Sequence, residues 1–261
     1  MRFLLSNDDG VNAPGLKVLA DALAKLGEVW TIAPLEEKST TGHSLTLHKP
    51  LRVIPMGKRW FGVSGSPADC INLGLRSILP KKPDWVISGP NRGANLGQDV
   101  YYSGTVSAAR EATILGYPAL AVSLAVDFDR PGLDSDQHYS SAARMTVQVL
   151  KHLIKAKLTP PAHTLINLNV PDLPWAKLRG IKLARQGFRH YDGEIVKRRD
   201  HRGKDYFWVG GTYKGYRRER TAEETDCHWV AEGYASLTPL KLDTTDTSFV
   251  RALANCVGAQ E

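Results

Sequence analysis

The sequence predicts one α/β domain with a mainly parallel sheet, followed by a protruding arm. Three observations support this fold class: apolar runs alternate with helical patterns up to about residue 170, polar or Gly-rich loops follow several of the runs, and the alternation then stops. Alternating strands and helices favour parallel strands joined by right-handed crossovers. The 261 residues, 42% of them hydrophobic, are enough to bury one large core.

The first element pattern is a β-α-β unit at the N-terminus. The apolar run Arg2–Ser6 predicts a buried strand that ends in a polar turn. Leucines then recur at spacings of three and four over residues 16–26, which predicts a helix that Gly27 closes. Residues 29–33 predict the second strand, so the first two strands should lie parallel.

Apolar runs and capping signals predict the rest of the core. Ser66 and Pro67 are typical of a helix start, and Asp69 suits the positively charged end of that helix. The predicted helices lie at residues 66–79, 103–116 and 139–156, and the predicted strands lie at residues 45–55, 60–63, 85–88, 119–124 and 165–170.

After this core the chain becomes basic, aromatic and punctuated by glycine. We divide the single domain into a core at about residues 1–178, a basic arm at about 179–220 and a C-terminal segment at about 221–261. The predicted elements beyond the core are strands at residues 181–185, 206–210 and 236–240 and a short helix at residues 248–255. The first two of these strands favour a β-hairpin or another extended arm.

The positive charge of the chain is concentrated in the arm. The whole sequence has a net charge of +7, and residues 176–220 hold 14 Lys or Arg against 5 Asp or Glu, a net charge of +9. The remaining residues therefore have a net charge of −2. The high isoelectric point belongs to one segment, which could attract polyanions, and not to the whole surface.

The composition also bears on location. No apolar run approaches the roughly 20 residues that span a bilayer, so no membrane partner is expected. The N-terminus becomes acidic too soon for a signal peptide. Cys70, Cys227 and Cys256 are widely spaced and form no CxxC motif, as suits a reducing compartment. Together these features predict a cytoplasmic protein.

Oxygen-bearing side chains follow three of the predicted strands. Asp8 and Asp9 come directly after the first strand, Ser39 lies a few residues beyond the second, and Asn91 follows the strand at residues 85–88. Open α/β sheets bind ligands at the carboxyl ends of their strands, so these residues should converge. Oxygen ligands without His or Cys select a hard cation such as Mg²⁺ or Mn²⁺. The alternative is an ordinary turn whose carboxylates accept backbone N–H groups.

A Gly-rich loop precedes the helix at residues 103–116. The sequence Ser103-Gly104-Thr105 opens that helix, whose positive end and N–H groups would suit a phosphate. An ordinary N-cap is the alternative, but the glycines at 93, 97 and 104 exceed what a cap requires. The chain lacks GxxxxGK[ST], GxGxxG, GxSxG and HExxH motifs. His43 and His138 are more typical of structural or surface histidines than of catalytic ones.

Three segments of the sequence resemble the signatures of a known family. These are SNDDGV at residues 6–11 followed by APG at 13–15, SGPNRGAN at 88–95, and YSGTVSAARE at 102–111. In combination they resemble the SurE family, the stationary-phase survival protein E nucleotidases. The resemblance extends over nearly the whole chain and shows no departure at the expected metal positions.

The resemblance implies a Rossmann-like three-layer core and a metal-dependent 5′-nucleotidase that acts on nucleoside monophosphates. Activity on 3′-nucleotides and short-chain polyphosphate is also implied, with one Mg²⁺ or Mn²⁺ per subunit. The implied metal ligands are Asp8, Asp9, Ser39 and Asn91, of which the two aspartates are also the catalytic candidates. The implied phosphate-binding residues are Asn95, Ser103, Gly104 and Thr105. A homodimer or homotetramer that exchanges the arm and the C-terminal segment is implied as well.

Other functions remain open at this level. The basic arm interleaves aromatic residues with Lys and Arg, a pattern that also suits nucleic acid, although we favour an oligomerisation arm and expect no nucleic-acid partner. A sugar-nucleotide transferase on the same sheet is a third possibility. Within the phosphatase class, one aspartate acting as a covalent nucleophile is the alternative to direct attack by water.

Overall fold

The computed structural model describes residues 1–126, 128, 137–217 and 224–257. The predicted boundary between the arm and the C-terminal segment, near residue 220, lies outside the described residues. Within them, the chain forms an α/β fold in which helices cover both faces of a mostly parallel sheet. This confirms the predicted fold class.

The secondary structure alternates through the core as the sequence predicts. The strands are β1 Arg2–Ser6, β2 Glu28–Pro34, β3 Val53–Gly57, β4 Trp60–Val63, β5 Trp85–Arg92, β6 Ala119–Ala125, β7 Thr164–Pro171, β8 Ile181–Leu183, β9 Arg189–Tyr191, β10 Ile195–Arg199, β11 Asp205–Val209, β12 Tyr213–Tyr216 and β13 Ala235–Lys241. The α-helices are α1 Pro14–Leu23, α2 Pro67–Leu73, α3 Gly104–Ile114, α4 Tyr139–Lys155, α5 Asp226–Ala231 and α6 Thr247–Val257. Short π- and 3₁₀-helical turns occupy Gly74–Ile78, Gly97–Tyr101 and Trp175–Lys177.

The main sheet contains nine of the described strands, in the order β3-β4-β2-β1-β5-β6-β7-β13-β8. The strands from β4 to β7 run parallel to their neighbours, whereas β3 pairs antiparallel with β4 and β13 pairs antiparallel with β7. The sheet therefore continues past the predicted core boundary, because β8 and β13 belong to it. Strands β1, β5 and β6 are almost entirely buried because they lie in the centre of the sheet.

Two apolar layers hold the helices against the sheet. One packs α1 and α4 on one face and includes Leu16, Leu19 and Leu150. The other packs α2 and α3 on the opposite face through small side chains such as Ala108 and Ala112. A sheet between two helical layers is the three-layer arrangement that buries both faces of parallel strands.

Two predicted elements differ from the observed ones. Residues 45–55 were expected to form a strand, but only β3, from residue 53, is extended in the sheet. The backbone N–H of Thr46 donates to Asp69 Oδ1 at 2.9 Å, so this segment binds the start of α2 instead of a strand. The helix expected at residues 66–79 is α-helical only to Leu73 and continues as the π-turn. Its start is confirmed, since Ser66 and Asp69 form a capping box.

The first predicted arm strand, β8, pairs with β13 in the main sheet and not with β11, and the rest of the arm consists of short antiparallel pairs outside that sheet. β10 pairs with β11, and β9 pairs with β12. All five residues of β11 are exposed, including Phe207 and Trp208. In the C-terminal segment, the prediction of α6 is confirmed, whereas α5 was not anticipated. No helix of the described residues is long and apolar enough to cross a membrane.

Candidate active site

The predicted site residues lie at the carboxyl ends of adjacent parallel strands. β1 and β5 are in register with Ser6 opposite Ser88, so the turn after β1 lies beside the loop after β5. A cavity of about 1740 Å³ opens at this edge. Six predicted residues line it, namely Asp8, Asp9, Ser39, Asn91, Asn95 and Ser103. Gly104 and Thr105 lie behind Asp8 instead.

Asp8 is the more rigidly held carboxylate of the pair. Its side chain is buried, and the hydroxyl of Thr105 donates a hydrogen bond to its Oδ1. A Cβ atom on Gly104 would lie 2.8 Å from Asp8 Cβ and 2.9 Å from Oδ2, closer than real Cβ contacts allow. Two residues at the start of α3 therefore position Asp8. Gly104 leaves room for the carboxylate, and the hydroxyl of Thr105 orients it.

Asp9 lies next to Asp8 and accepts a hydrogen bond from the backbone N–H of Arg92 at 3.0 Å. Burial and, to a lesser extent, the neighbouring charge of Asp8 together raise the pKa of Asp9 to about 7. Burial also raises the pKa of Asp8, although the Thr105 hydroxyl opposes this effect. One buried and one partly buried carboxylate on the same cavity are unfavourable as a pair of anions, and a bound cation would relieve the repulsion.

Ser39 and Asn91 complete the oxygen-rich rim. Ser39 is exposed, and its hydroxyl donates to Glu37 Oε1 at 2.6 Å. The side-chain amide nitrogen of Asn91 donates to Gly93 O at 2.9 Å. This bond does not involve the side-chain oxygen of Asn91, which is the atom that a cation would bind. Glu37 also lines the cavity, and its charge contributes to the raised pKa values of Asp8 and Asp9. The sequence did not lead us to predict Glu37 as a site residue, although it lies only two residues before Ser39.

The donor set fits a hard divalent cation. Within the described ranges, no three His, Cys, Asp or Glu side chains are grouped as ligands for one metal ion. Such a site would therefore rest on two carboxylates and neutral oxygens, with water completing the shell. This composition suits Mg²⁺ or Mn²⁺ and does not suit a zinc site, which requires nitrogen or sulfur ligands.

The loop between β5 and α3 is fixed from below by buried amides. Asn169 accepts from the backbone N–H of Asn95 at 2.8 Å and donates to its carbonyl at 3.0 Å. Asn167 donates to the same carbonyl at 2.9 Å, and the amide of Asn95 donates to Ser123 at 2.8 Å. Asn95 thus borders the cavity, but its amide nitrogen is bonded within the protein. The asparagines of β7 gave no motif in the sequence, because their partners lie more than 70 residues away.

Ser103 and His43 have well-defined structural partners. Ser103 is the N-cap of α3, since its hydroxyl accepts from Val106 N at 3.0 Å. His43 Nε2 lies 2.9 Å from Glu111 Oε2, and this bond is the main reason that the pKa of Glu111 is lowered. Glu111 also accepts from Asn72 at 2.8 Å. The interpretation of His43 as a structural residue agrees with these contacts.

Part of the cavity lining comes from the base of the arm. We call residues 186–191 and 211–213 the arm root; Phe188, Arg189, Tyr191 and Tyr213 of this segment line the cavity. The arm root therefore faces the same space as the aspartate pair. Nothing in the sequence placed these two regions together, because they are about 180 residues apart.

Comparisons with known proteins agree with this geometry. The sequence model of the family described as "Survival protein SurE" matches residues 3–193. A protein named 5′-nucleotidase SurE from Geotalea daltonii is 47% identical over 253 residues, which cover 97% of this chain and 98% of the relative. A protein of the same name from Geobacter sulfurreducens is 47% identical over 94% of this chain and 90% of its own length.

A solved structure has the same fold as this chain. The crystal structure of the SurE protein from Aquifex aeolicus superposes with a TM-score of 0.84 and 38% sequence identity. The match covers 98% of this chain and the whole of the other. The family signature, the full-length relatives and the shared fold coincide over the residues that build the site. The chain belongs to the SurE family.

Proposed function

We propose that this protein is a metal-dependent phosphomonoesterase that hydrolyses nucleoside 5′-monophosphates to nucleoside and phosphate. The observation that carries the proposal is the Asp8–Asp9 pair, in which Asp8 is buried and Asp9 is partly buried, and which faces a large cavity beside the N-terminus of α3. The relatives named 5′-nucleotidase SurE support the substrate class. One divalent cation per subunit, Mg²⁺ or Mn²⁺, is part of the proposal.

The proposed ligands of this cation are Asp8, Asp9, Ser39 and Asn91. When bound, the cation supplies charge neutralisation and a polarised water for attack at phosphorus. The protein's own residues have separate tasks. Thr105 and Gly104 fix the orientation of Asp8, whereas Asp9 is less buried and more open to the cavity. Either aspartate could accept the proton of the attacking water, since both line the cavity.

The start of α3 is the proposed seat of the phosphate. Helix α3 has eleven residues, and the backbone N–H groups of its first turn carry partial positive charge. Ser103, Gly104 and Thr105 are the residues proposed for this seat, and Ser103 and Asn95 line the cavity. The N–H of Ser103 donates to Asp99 O at 3.1 Å and the backbone of Thr105 bonds to Asp8, so the positive end of the helix, more than free N–H groups, would stabilise the phosphate oxygens.

The experiment that tests the proposal is Asp9→Asn. We expect phosphate release from adenosine 5′-monophosphate in the presence of Mn²⁺ or Mg²⁺ to fall at least a hundredfold, because the substitution removes a ligand and a proton acceptor. Asp21→Asn on the exposed face of α1 is the matched control and should keep full activity. Full activity of Asp9→Asn, with an unchanged circular dichroism spectrum, would contradict the assignment.

Finer aspects of the activity need separate measurements. We propose that 3′-nucleotides and short-chain polyphosphate are additional substrates, and phosphate release across a panel of nucleotides, polyphosphates and metals tests this. The proposed water attack is distinguished from an aspartyl-phosphate by quenching a single turnover of ³²P-labelled nucleotide with acid. Label attached to an aspartate of the quenched protein would exclude direct attack.

We also propose that the active protein is a homodimer or homotetramer that exchanges the arm and the C-terminal segment. Helix α6 buries none of its residues, and it exposes Phe249, Val250 and Leu253. Apolar side chains clustered on an otherwise unpacked helix are typical of a subunit contact. Sedimentation of the full chain and of a chain truncated before α6 would test this proposal.

A further inference from the structure

We propose that the arm root forms a nucleobase subsite in the same cavity as the aspartate pair, with Phe188 as the residue on which the base stacks. This inference rests on the proposed nucleotidase function, since it assigns the second half of the same substrate. It goes further by identifying a residue that recognises the nucleoside, and it gives the base of the arm a role beyond contact between subunits.

The size and shape of the cavity are the first argument. Its volume of about 1740 Å³ exceeds the roughly 300–1,000 Å³ typical of ligand pockets, and it is far more than a phosphate requires. Its lining includes the carboxylates of Asp8 and Asp9 and Ser103 at the start of α3, together with Phe188, Tyr191, Tyr213 and the apolar side chain of Val230. A ligand that is anionic at one end and aromatic at the other matches these two kinds of lining.

The arm root is held in place, so its wall exists before any ligand binds. The buried carboxylate of Asp226 accepts from Gly97 N at 3.0 Å and from Gly187 N at 2.8 Å, which joins the Gly-rich loop to the arm root. Gln98 donates to Arg189 O at 2.7 Å and accepts from Arg189 N at 2.8 Å. These bonds fix the arm root to the loop that leads into α3. A preformed wall reduces the entropy lost when a ligand binds.

The aromatic side chains of the arm root are not equivalent. The guanidinium of Arg189 lies 4.3 Å from the ring centroid of Tyr213 and forms an ion pair with Asp99 at 2.6 Å. Tyr191 donates its hydroxyl to the same carboxylate at 2.5 Å. Both tyrosines are therefore engaged in the network that holds the arm root.

Phe188 differs from these tyrosines because it has no polar group to satisfy. It lines the cavity, and 46% of its surface is exposed. Its ring contacts that of His190 in a tilted arrangement, with 5.5 Å between the ring centroids. An exposed aromatic ring at the wall of a ligand cavity is suited to stacking on a nucleobase, and such stacking tolerates any base. Phe188 is accordingly the residue that the geometry favours for this contact.

The test compares Phe188→Ala with Phe207→Ala, using adenosine and ribose 5-phosphate as probes. Phe207 lies in the same arm, on β11, is 57% exposed and does not line the cavity. Adenosine carries the base without a phosphate, and ribose 5-phosphate carries the phosphate without a base. We expect Phe188→Ala to weaken adenosine binding, measured by calorimetry, by roughly 5-fold to 100-fold. Phosphate release from ribose 5-phosphate should not change, and Phe207→Ala should change neither measurement.

The outcomes separate this inference from the proposed function. Wild-type protein that does not bind adenosine, adenosine affinity that Phe188→Ala leaves unchanged, or an equal loss toward both probes would overturn the subsite. A wild-type protein that binds adenosine through Phe188 but releases no phosphate from adenosine 5′-monophosphate would retain the subsite and overturn the nucleotidase. The melting temperatures of both variants show whether either substitution disturbs the fold.

Discussion

The sheet that carries the site and the arm differ in how deeply their residues are buried. In β6, the six residues from Ala119 to Leu124 are all buried, whereas in β11 all five residues are exposed. Around the site, charged groups are enclosed by strands and held by hydrogen bonds from distant parts of the chain. In the arm, Lys197 and Arg199 pair with Asp205 at the surface. The fold should therefore depend on the core and tolerate change in the arm.

The largest effect on stability is expected from a core substitution. Leu150 of α4 is fully buried in the layer between α1, α4 and the sheet. Leu150→Ala should lower the free energy of unfolding by about 2–5 kcal/mol, because it removes apolar contacts and leaves a cavity. Trp208→Ala in the arm removes a larger side chain that is 63% exposed, and it should change the free energy by less than about 0.5 kcal/mol. Urea denaturation of both variants measures the difference.

Equal losses from these two substitutions would break the comparison. Such a result would mean that Trp208 is buried against another copy of the chain in solution. Repeating the denaturation at several protein concentrations distinguishes this case, since a subunit contact makes the transition concentration-dependent.

The next prediction concerns the fit between α3 and Asp8. Gly104→Ala places a Cβ atom 2.8 Å from Asp8 Cβ, so the carboxylate must move within a closely packed site. We expect kcat/KM for adenosine 5′-monophosphate to fall by roughly 100-fold, the effect of a misplacement of about 1 Å. At Gly57, on the edge strand β3, the closest atom to a new Cβ is Trp60 Cβ at 3.8 Å. Gly57→Ala should therefore leave activity intact, and an active Gly104→Ala variant would show that Asp8 need not hold this position.

A smaller effect is expected from Thr105→Val. This substitution keeps the shape of a fully buried side chain but removes the hydroxyl that donates to Asp8. The loss of a hydrogen bond to a charged group should lower the free energy of unfolding by about 1–3 kcal/mol at pH 7.5. Thr113→Val is the matched control, because Thr113 is on the same helix and donates only to Ala109 O at 3.0 Å. If both variants lose the same stability in urea denaturation, then the Asp8 bond contributes nothing beyond an ordinary helix hydroxyl.

Sequence patterns predicted the core well because burial imposes them. The leucines of α1 recur at helical spacing since Leu16, Leu19 and Leu23 all face the same buried layer. Ser66 and Asp69 predicted the start of α2 because a capping box is local. The convergence of Asp8, Asp9, Ser39 and Asn91 followed from a topological rule about parallel sheets.

The parts that could not be predicted depend on contacts between distant residues. Asp226 joins Gly97 to Gly187, and no local pattern links these positions. Residues 45–52 have the composition of a strand, but a hydrogen bond to Asp69 holds Thr46 outside the sheet. Thr105 was expected to bind phosphate, and only the structure shows that its hydroxyl is directed to Asp8. Local patterns in the sequence therefore predicted the helices and strands. The hydrogen bonds that support the site residues join distant parts of the chain, and no local pattern predicted them.

The smallest effect on the core is expected when the tip of the arm is removed. Gly210 N donates to Glu194 O at 3.0 Å, so deletion of residues 195–209 would join two residues that are already adjacent. The deleted hairpin pairs with itself, β10 against β11, and its charged residues form ion pairs at the surface. Surface ion pairs contribute little, about 0–1 kcal/mol each, and removing a self-contained hairpin exposes little of the core. At protein concentrations low enough for the chain to be monomeric, we expect the melting temperature to change by less than about 3 °C.

The same deletion also tests the nucleic-acid alternative for the arm. Binding of single-stranded RNA that weakens steeply with salt and disappears in the deleted protein would give the hairpin a function of its own. We expect no such binding at physiological salt. A deletion that lowers the melting temperature by 10 °C or more, with a loss that grows with protein concentration, would show that this hairpin belongs to the arm that we propose the subunits exchange, because its contacts within the described chain cannot account for so large a loss.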